Sequence, residues 1–338
     1  MAWDRRRALA VLAGLFAASV PVATWAADQE SRFLRIGTGN VNGTYYQIGG
    51  LLADIVSNPP GSRPCDRGGS CGVPGLIAIA QSSSGSVANV EAIEQGEVET
   101  GLAQSDVAYY AATATGPFAG RPRATHLQVL ANLYFEHVHL VVRADAGIGD
   151  VTSLRGKRVS LDAEGSGTLV DARLVLAAFG VAESELDLSY TPLGPSVDRM
   201  KAGELDAFFL VAGWPAPAVS ELAHDLGIRL VPITGPQVEA VLAAHGFFTS
   251  DVIPAGAYPG TAATPTIAVG AQWFVSRELP DELVYALATA LWHPRARERL
   301  DAGHPRGRSI RLETALTGIA LPLHPGAERY YGERGLRL

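Results

Sequence analysis

The sequence predicts an α/β protein of two lobes, and three observations predict it. From Arg32 onward short β-like runs alternate with helical stretches, the pattern of helices layered on a mostly parallel sheet. Two landmarks occur twice in the same order: "NGT" (Asn42 to Thr44) and "SGT" (Ser166 to Thr168) each follow a strand and open a helix. "GEVETGLAQ" from Gly96 and "GELDAFFLV" from Gly203 each leave a helix and open a strand. Finally, the Pro- and Gly-rich "IPAGAYPGTAATP" precedes one more strand and helix, as expected where the chain crosses back to its first lobe through a hinge.

The elements follow in order. "MAWDRRRALAVLAGLFAASVPVATWAADQ" joins a basic cluster, an apolar segment and small residues placed for cleavage, so residues 1–26 are expected to be a signal peptide. Arg6 and Arg7 leave both the general and the twin-arginine export routes open. Phe33 to Thr38 reads as a strand, Thr44 to Ser57 as a helix, Leu76 to Gln81 as a strand, and Ser86 to Gln95 as a helix stopped by Gly96. Val98 to Ala103 is a further strand and Asp106 to Ala114 a helix. The second set has strands at Leu140 to Arg143 and Arg158 to Leu161. It continues with the helix of "SGTLVDARLVLAAFG", in which Leu169, Ala172, Leu176 and Phe179 share one face. A strand from Leu186 to Thr191, a helix from Ser196 to Ala202 and a strand from Leu205 to Val211 complete it. Thr266 to Val275 and Asp281 to Trp292 are the closing strand and helix. The expected division is 27–132 plus 265–338 for lobe I and 133–264 for lobe II. Residues 58–75, which hold both cysteines, form an insertion in lobe I, where the interval between the paired landmarks is longer.

Composition narrows the function. The chain has 338 residues, 47% of them hydrophobic and 18% charged, enough for a sizeable core in two lobes. A net charge of -7 disfavours nucleic acid as a partner. No segment after the first is apolar for long enough to span a bilayer, so the exported protein is expected to be soluble and, in a Gram-negative cell plan, periplasmic. Export favours a disulfide between Cys65 and Cys71. A metal there would need more ligands, and no histidine lies near in sequence; none is expected. Gly68-Gly69-Ser70-Cys71-Gly72 matches a nucleophile-elbow pattern only formally, because prolines and glycines flank it where a strand and a helix are needed.

Three strand-to-helix turns are candidate anion sites, since the first turn of a helix leaves N–H groups free at the positive end of its dipole. "IGTGNVNGTYYQIGG" has its third glycine one place late for a dinucleotide loop, lacks a strand-end acid, and no Gly-Lys-Ser/Thr occurs, so nucleotide readings fail. Thr44 and Tyr45 remain as polar and aromatic groups for a small anion, with an ordinary capped turn as the alternative. "QSSSGS" offers Ser83, Ser84 and Ser86, and "EGSGT" offers Ser166, Gly167 and Thr168, again with a plain N-cap as the alternative. "AQSDV" and "VAGWP" end corresponding strands, making Gln104, Ser105 and Trp214 candidate cleft walls. His137 and His139 alternate in "EHVHL" and share one strand face; without a third ligand a structural role is favoured. No serine or cysteine has a recognisable activating base, so no catalytic residue, cofactor or enzyme activity is expected.

The ordered motifs "IGTGNVNGTYYQIGGLLA", "GSVANVEAIEQGEVETGLAQSDVAY", "LRGKRVSLDAEGSGTLVDARLVL", "GELDAFFLVAGWP", "IPAGAYPG" and "PLHPGAERYY" resemble the TAXI family of TRAP-transporter solute-binding proteins. The resemblance implies a two-lobed periplasmic binding protein of the type II kind, each lobe a mixed sheet flanked by helices and joined by a hinge. It would act as a monomer that closes on glutamate, 2-oxoglutarate or a related dicarboxylate and delivers it to a membrane permease. It further implies ligand contacts from the residues of the three turns and the two strand ends. The cysteine insertion departs from the simplest family pattern. The remaining alternatives are a ligand-sensing periplasmic adaptor and a small α/β enzyme using the same cleft.

Overall fold

A computed structural model describes residues 31–338; the expected signal peptide lies outside the described residues. The first half runs β1 (Arg32–Gly37), α1 (Thr44–Val56), the short pair β2 (Ser57–Asn58) and β3 (Val73–Pro74), β4 (Leu76–Gln81), α2 (Ser86–Glu94), β5 (Thr100–Gln104) and α3 (Ser105–Thr113). Then β6 (Leu127–Arg143), 17 residues long, leads into the second half. There follow β7 (Arg158–Ser160), α4 (Gly167–Ala178), β8 (Asp187–Ser189), α5 (Leu193–Lys201), β9 (Ala207–Ala212), α6 (Pro217–Asp225), β10 (Ile228–Leu230), α7 (Pro236–Ala244) and β11 (Phe248–Ile253). The 13-residue β12 (Thr264–Ser276) returns, and α8 (Asp281–Leu291), α9 (Pro294–Gly303) and α10 (Pro325–Gly332) follow it.

One mixed sheet of ten strands unites both halves, in the order β4-β1-β5-β12-β6-β9-β7-β8, with β10 on β6 and β11 on β12. Parallel pairs lie in each half, β1 with β4 and β5, β7 with β8 and β9. The long central strands β6 and β12 run antiparallel to each other and to β9 and β5. They join the halves because each changes hydrophobic core along its length. In β6, residues up to Tyr134 pack in the first core and residues from Val138 in the second; in β12 the change falls between Val269 and Ala271. Glu136 sits at that change of core, paired across the ladder with Val269.

Helices cover the sheet because their apolar faces demand it. In α1, Tyr45, Ile48, Leu52 and Ile55 recur at helical spacing and are buried. Gly49 is required where α1 crosses Thr38: a Cβ there would overlap the Thr38 methyl group. The expected α1 ends one residue earlier than its sequence signal, at Val56, where Ser57 turns extended to pair with Val73. The cysteine loop that follows is closed by the Cys65–Cys71 disulfide, with Cα atoms 4.8 Å apart. Tertiary packing brings His293 Nε2 to 3.9 Å from Cys65 Sγ, a histidine remote in sequence. No helix among the described residues is long and apolar enough to cross a membrane.

Candidate functional site

Helices α1, α2 and α4 begin on the same pocket between the two halves, a cavity of ≈ 60 Å³. The first turns contribute Thr44 and Tyr45 from α1, Ser86 from α2, and Gly167 and Thr168 from α4, with Ser166 as the α4 N-cap. Gly43 and Gly85 occupy the N-cap positions of α1 and α2, and neither helix has a side-chain cap; in α2 the first-turn Ala88 N is taken by Gly165 O. At α4, Ser166 Oγ accepts from Leu169 N at 3.0 Å, which is an ordinary N-cap in addition to a cavity wall.

Contacts across the space hold the halves together. Thr44 Oγ1 donates to Gly213 O at 3.0 Å, Ala88 N to Gly165 O at 3.0 Å, and Gln104 Nε2 to Asp171 Oδ2 at 3.1 Å. The approach is close enough that a Cβ on Gly167 would overlap Gln104 Oε1 and lie 2.8 Å from Ser86 Oγ. Ser86 Oγ itself accepts from Gln104 N at 3.1 Å, tying the α2 start to the end of β5.

The sequence-predicted residues divide cleanly. Thr44, Tyr45, Ser84, Ser86, Gln104, Ser166, Gly167 and Thr168 reach the cavity wall. Ser83 does not: its hydroxyl donates to Thr38 O and accepts from Gly85 N, both at 3.0 Å, which uses it up in shaping the turn. Ser105 lies at the start of α3, on the side facing Gly270, away from the cavity that Gln104 faces. Trp214 lies under the Arg306 guanidinium, 3.8 Å from its ring centroid, while Arg306 Nε donates to Trp214 O at 2.7 Å. The second strand end supplies Val211 and Ala212 to the wall instead. His137 Nε2 meets Asp251 Oδ2 at 2.9 Å, and His139 Nε2 lies 2.9 Å from Tyr258 Oη. Burial lowers both imidazoles from the ordinary histidine value, His139 to about 3, while Asp251 opposes the shift at His137.

Among the wall residues that escaped sequence reasoning, two are acidic. Glu136, 1% exposed, accepts from Tyr45 Oη at 2.5 Å. Burial raises its carboxyl to about 8; the Tyr45 hydrogen bond opposes the rise and the charge of Asp106 adds to it. Asp162 stands at the end of β7 with φ 73°, a left-handed backbone that residues with side chains rarely adopt and that concentrates at functional sites. Burial raises its carboxyl to about 6. Behind Gln104, Asp106 of α3 and Asp171 of α4 face one another across the halves, fully buried. Burial pushes both carboxyls up, and two adjoining negative charges are disfavoured there, so the pair retains a proton at neutral pH. Among the described residues no Lys or Arg lines the cavity. The charged residue inside the strand motif "EHVHL" was the available signal for Glu136.

The pocket between the two halves, walled by helix N-termini and buried carboxyls, is the candidate functional site. A profile described as the NMT1-like family matches residues 36–335, and the chain belongs to that family. Solved structures share its fold. A structure titled a periplasmic transporter is 13% identical with a TM-score of 0.50, covering 81% of this chain and 90% of the other. The protein CAE31940 from Bordetella bronchiseptica RB50 is 14% identical with a TM-score of 0.50, covering 90% and 82%. The alkanesulfonate-binding protein SsuA from Xanthomonas axonopodis pv. citri, bound to MOPS, is 18% identical with a TM-score of 0.44, covering 90% and 84%.

Proposed function

We propose that this protein is an extracytoplasmic solute-binding protein that captures a small carboxylate between its two halves and hands it to a membrane permease, without chemical turnover. One observation carries the reading: three helix N-termini, two from the first half and one from the second, converge on one pocket. Each contributes free N–H groups and dipole to an anion, and exclusion of water strengthens every such contact. A volume of ≈ 60 Å³ suits a small ligand, since one water takes about 10–15 Å³ on this measure.

The halves are proposed to part about β6 and β12, where both strands change core and where β12 shifts register between Ala271 and Gln272 and again between Trp273 and Phe274. Bonds such as Thr44 to Gly213 and Gln104 to Asp171 then belong to the closed state, which ligand selects. The sequence motifs favour a permease of the TRAP type and glutamate, 2-oxoglutarate or a related dicarboxylate as ligand.

Thermal-shift screening against amino acids, dicarboxylates and oxoacids tests the reading. Carboxylates should raise the melting temperature, and ligand recovered after incubation should be unchanged. Stabilisation by neutral sugars or by cations alone would overturn it. A permease gene beside this one supports transport, whereas a histidine-kinase gene there supports a sensory adaptor.

A further inference from the structure

The cysteine loop contributes nothing to the wall of the cavity between the halves, yet it carries chemistry of its own. We infer that Cys65–Cys71 is an exchangeable disulfide, opened at Cys71 by a small anionic thiol while His293 receives Cys65 as the departing thiolate. This holds whatever the cavity binds.

The surroundings of the two sulfurs set the direction of attack. His293 is the N-cap of α9, and its Nδ1 accepts from Arg295 N at 3.2 Å. A ring nitrogen that accepts a hydrogen bond carries no proton, so the ring proton sits on Nε2. Nε2 lies 3.9 Å from Cys65 Sγ, within reach of a sulfur acceptor. A thiolate at Cys65 therefore meets a donor and the positive end of the α9 dipole, surroundings that favour its departure. The same tautomer argues against a metal held by Cys65, Cys71 and His293, because a metal on Nε2 would drive the proton to Nδ1 and break the α9 cap.

Cys71 faces the other way. It lines a separate pocket of ≈ 200 Å³, and Cys65 does not. Arg295, Glu298 and Arg299 stand on the same wall, and a Cβ on Gly68 would lie 3.9 Å from Arg295 Nη1. Arg299 is paired with Asp54, which leaves Arg295 to meet a carboxylate of the incoming thiol. Both cysteines are half-buried, so the bond is within reach of a small molecule.

The step balances without a further reactant. The incoming thiolate bonds to Cys71 Sγ as the Cys65–Cys71 bond breaks, and that electron pair leaves on Cys65 Sγ. A second thiol attacks the outer sulfur of the mixed disulfide. Two small thiols are then oxidised to their disulfide, and their two protons end on Cys65 and Cys71. The loop holds its shape without the bond: Pro64 O accepts from Arg67 N at 3.0 Å and from Gly69 N at 2.9 Å, and Ser70 Oγ donates to Ser57 O. With its cysteines only six positions apart, the bridge restrains less of the unfolded chain than a long-loop disulfide does, so opening it leaves the fold standing.

The test incubates the folded, purified protein with reduced glutathione at neutral pH, blocks free thiols with N-ethylmaleimide and maps the peptides by mass spectrometry. Trypsin cuts after Arg67 and so separates the two cysteines. Expected are glutathione on Cys71 and maleimide on Cys65. His293→Ser keeps an N-cap but removes the donor, and should slow formation of the mixed disulfide about tenfold. Arg295→Gln should slow glutathione and leave the uncharged thiol 2-mercaptoethanol unaffected. Glutathione on Cys65, an unchanged rate in His293→Ser, or a folded protein that resists glutathione while the urea-unfolded chain reacts would each overturn the inference.

Discussion

Gly167→Ala separates folding from closure. Gly167 opens α4 with a right-handed backbone, so alanine is conformationally allowed there and should stabilise the helix by up to about 1 kcal/mol. In the closed arrangement the added methyl overlaps Gln104 Oε1 and crowds Ser86 Oγ at 2.8 Å. Gln104 cannot yield freely, because it is 1% exposed and its amide holds Asp171. Overpacking costs about 1–3 kcal/mol, and losing the bond that satisfies a buried carboxyl about 1–3 more. Closure is therefore opposed by about 2–6 kcal/mol, a loss of roughly 30- to 20,000-fold in affinity at about 1.4 kcal/mol per tenfold. Calorimetric titration with the ligand from the thermal screen, with small-angle scattering of the free and bound protein, reads this out. The ligand-free variant should melt at or above the parent temperature yet fail to compact. Affinity within threefold of the parent, with the same compaction, would refute the closed-state contact.

Three further outcomes are expected. Because burial raises Asp106 and Asp171 together, their stabilising proton is fully present below the ordinary aspartate range and is lost as pH rises towards about 7. Thermal stability of the closed form should accordingly fall between about pH 4 and 7, by up to about 1.4 kcal/mol per unit for one proton, and Asp171→Asn should flatten the slope; a parent profile already flat would contradict the shared proton. Tyr45→Phe removes the hydrogen bond that opposes the rise of Glu136, so its carboxyl should hold its proton to higher pH, read by infrared titration of the protonated carboxyl across pH 6 to 9. Replacing Cys65 and Cys71 by serine frees a short loop and should cost about 2 kcal/mol in chemical denaturation, while ligand affinity stays the same, since the cavity wall contains no residue of that loop.

Elements with clear periodicity were legible, including the start of α1 at Thr44, α2 at Ser86 and the face of α4. Others were hidden for physical reasons. Helices α6, α7, α9 and α10 each have proline in the first turn, where a missing N–H costs nothing, yet proline in sequence reads first as a breaker. Only the end of β6 read as strand, because Asn132, Glu136, His137 and His139 interrupt its apolar run. Each is buried on a central strand covered on both faces, so alternation gives no signal.

By itself the sequence determined the α/β alternation, the paired landmarks of the two halves and the three hydroxyl-rich turns, since glycine position and helical period are local properties. Tertiary structure decided which of those residues share a cavity: Ser84 and Ser86 but not Ser83, Gln104 but not Ser105. It also decided that the cavity is acidic on one side. Glu136 is one charge in a strand until β6 changes core at that residue, and the raised affinity of its carboxyl for a proton comes from burial, which no local pattern encodes.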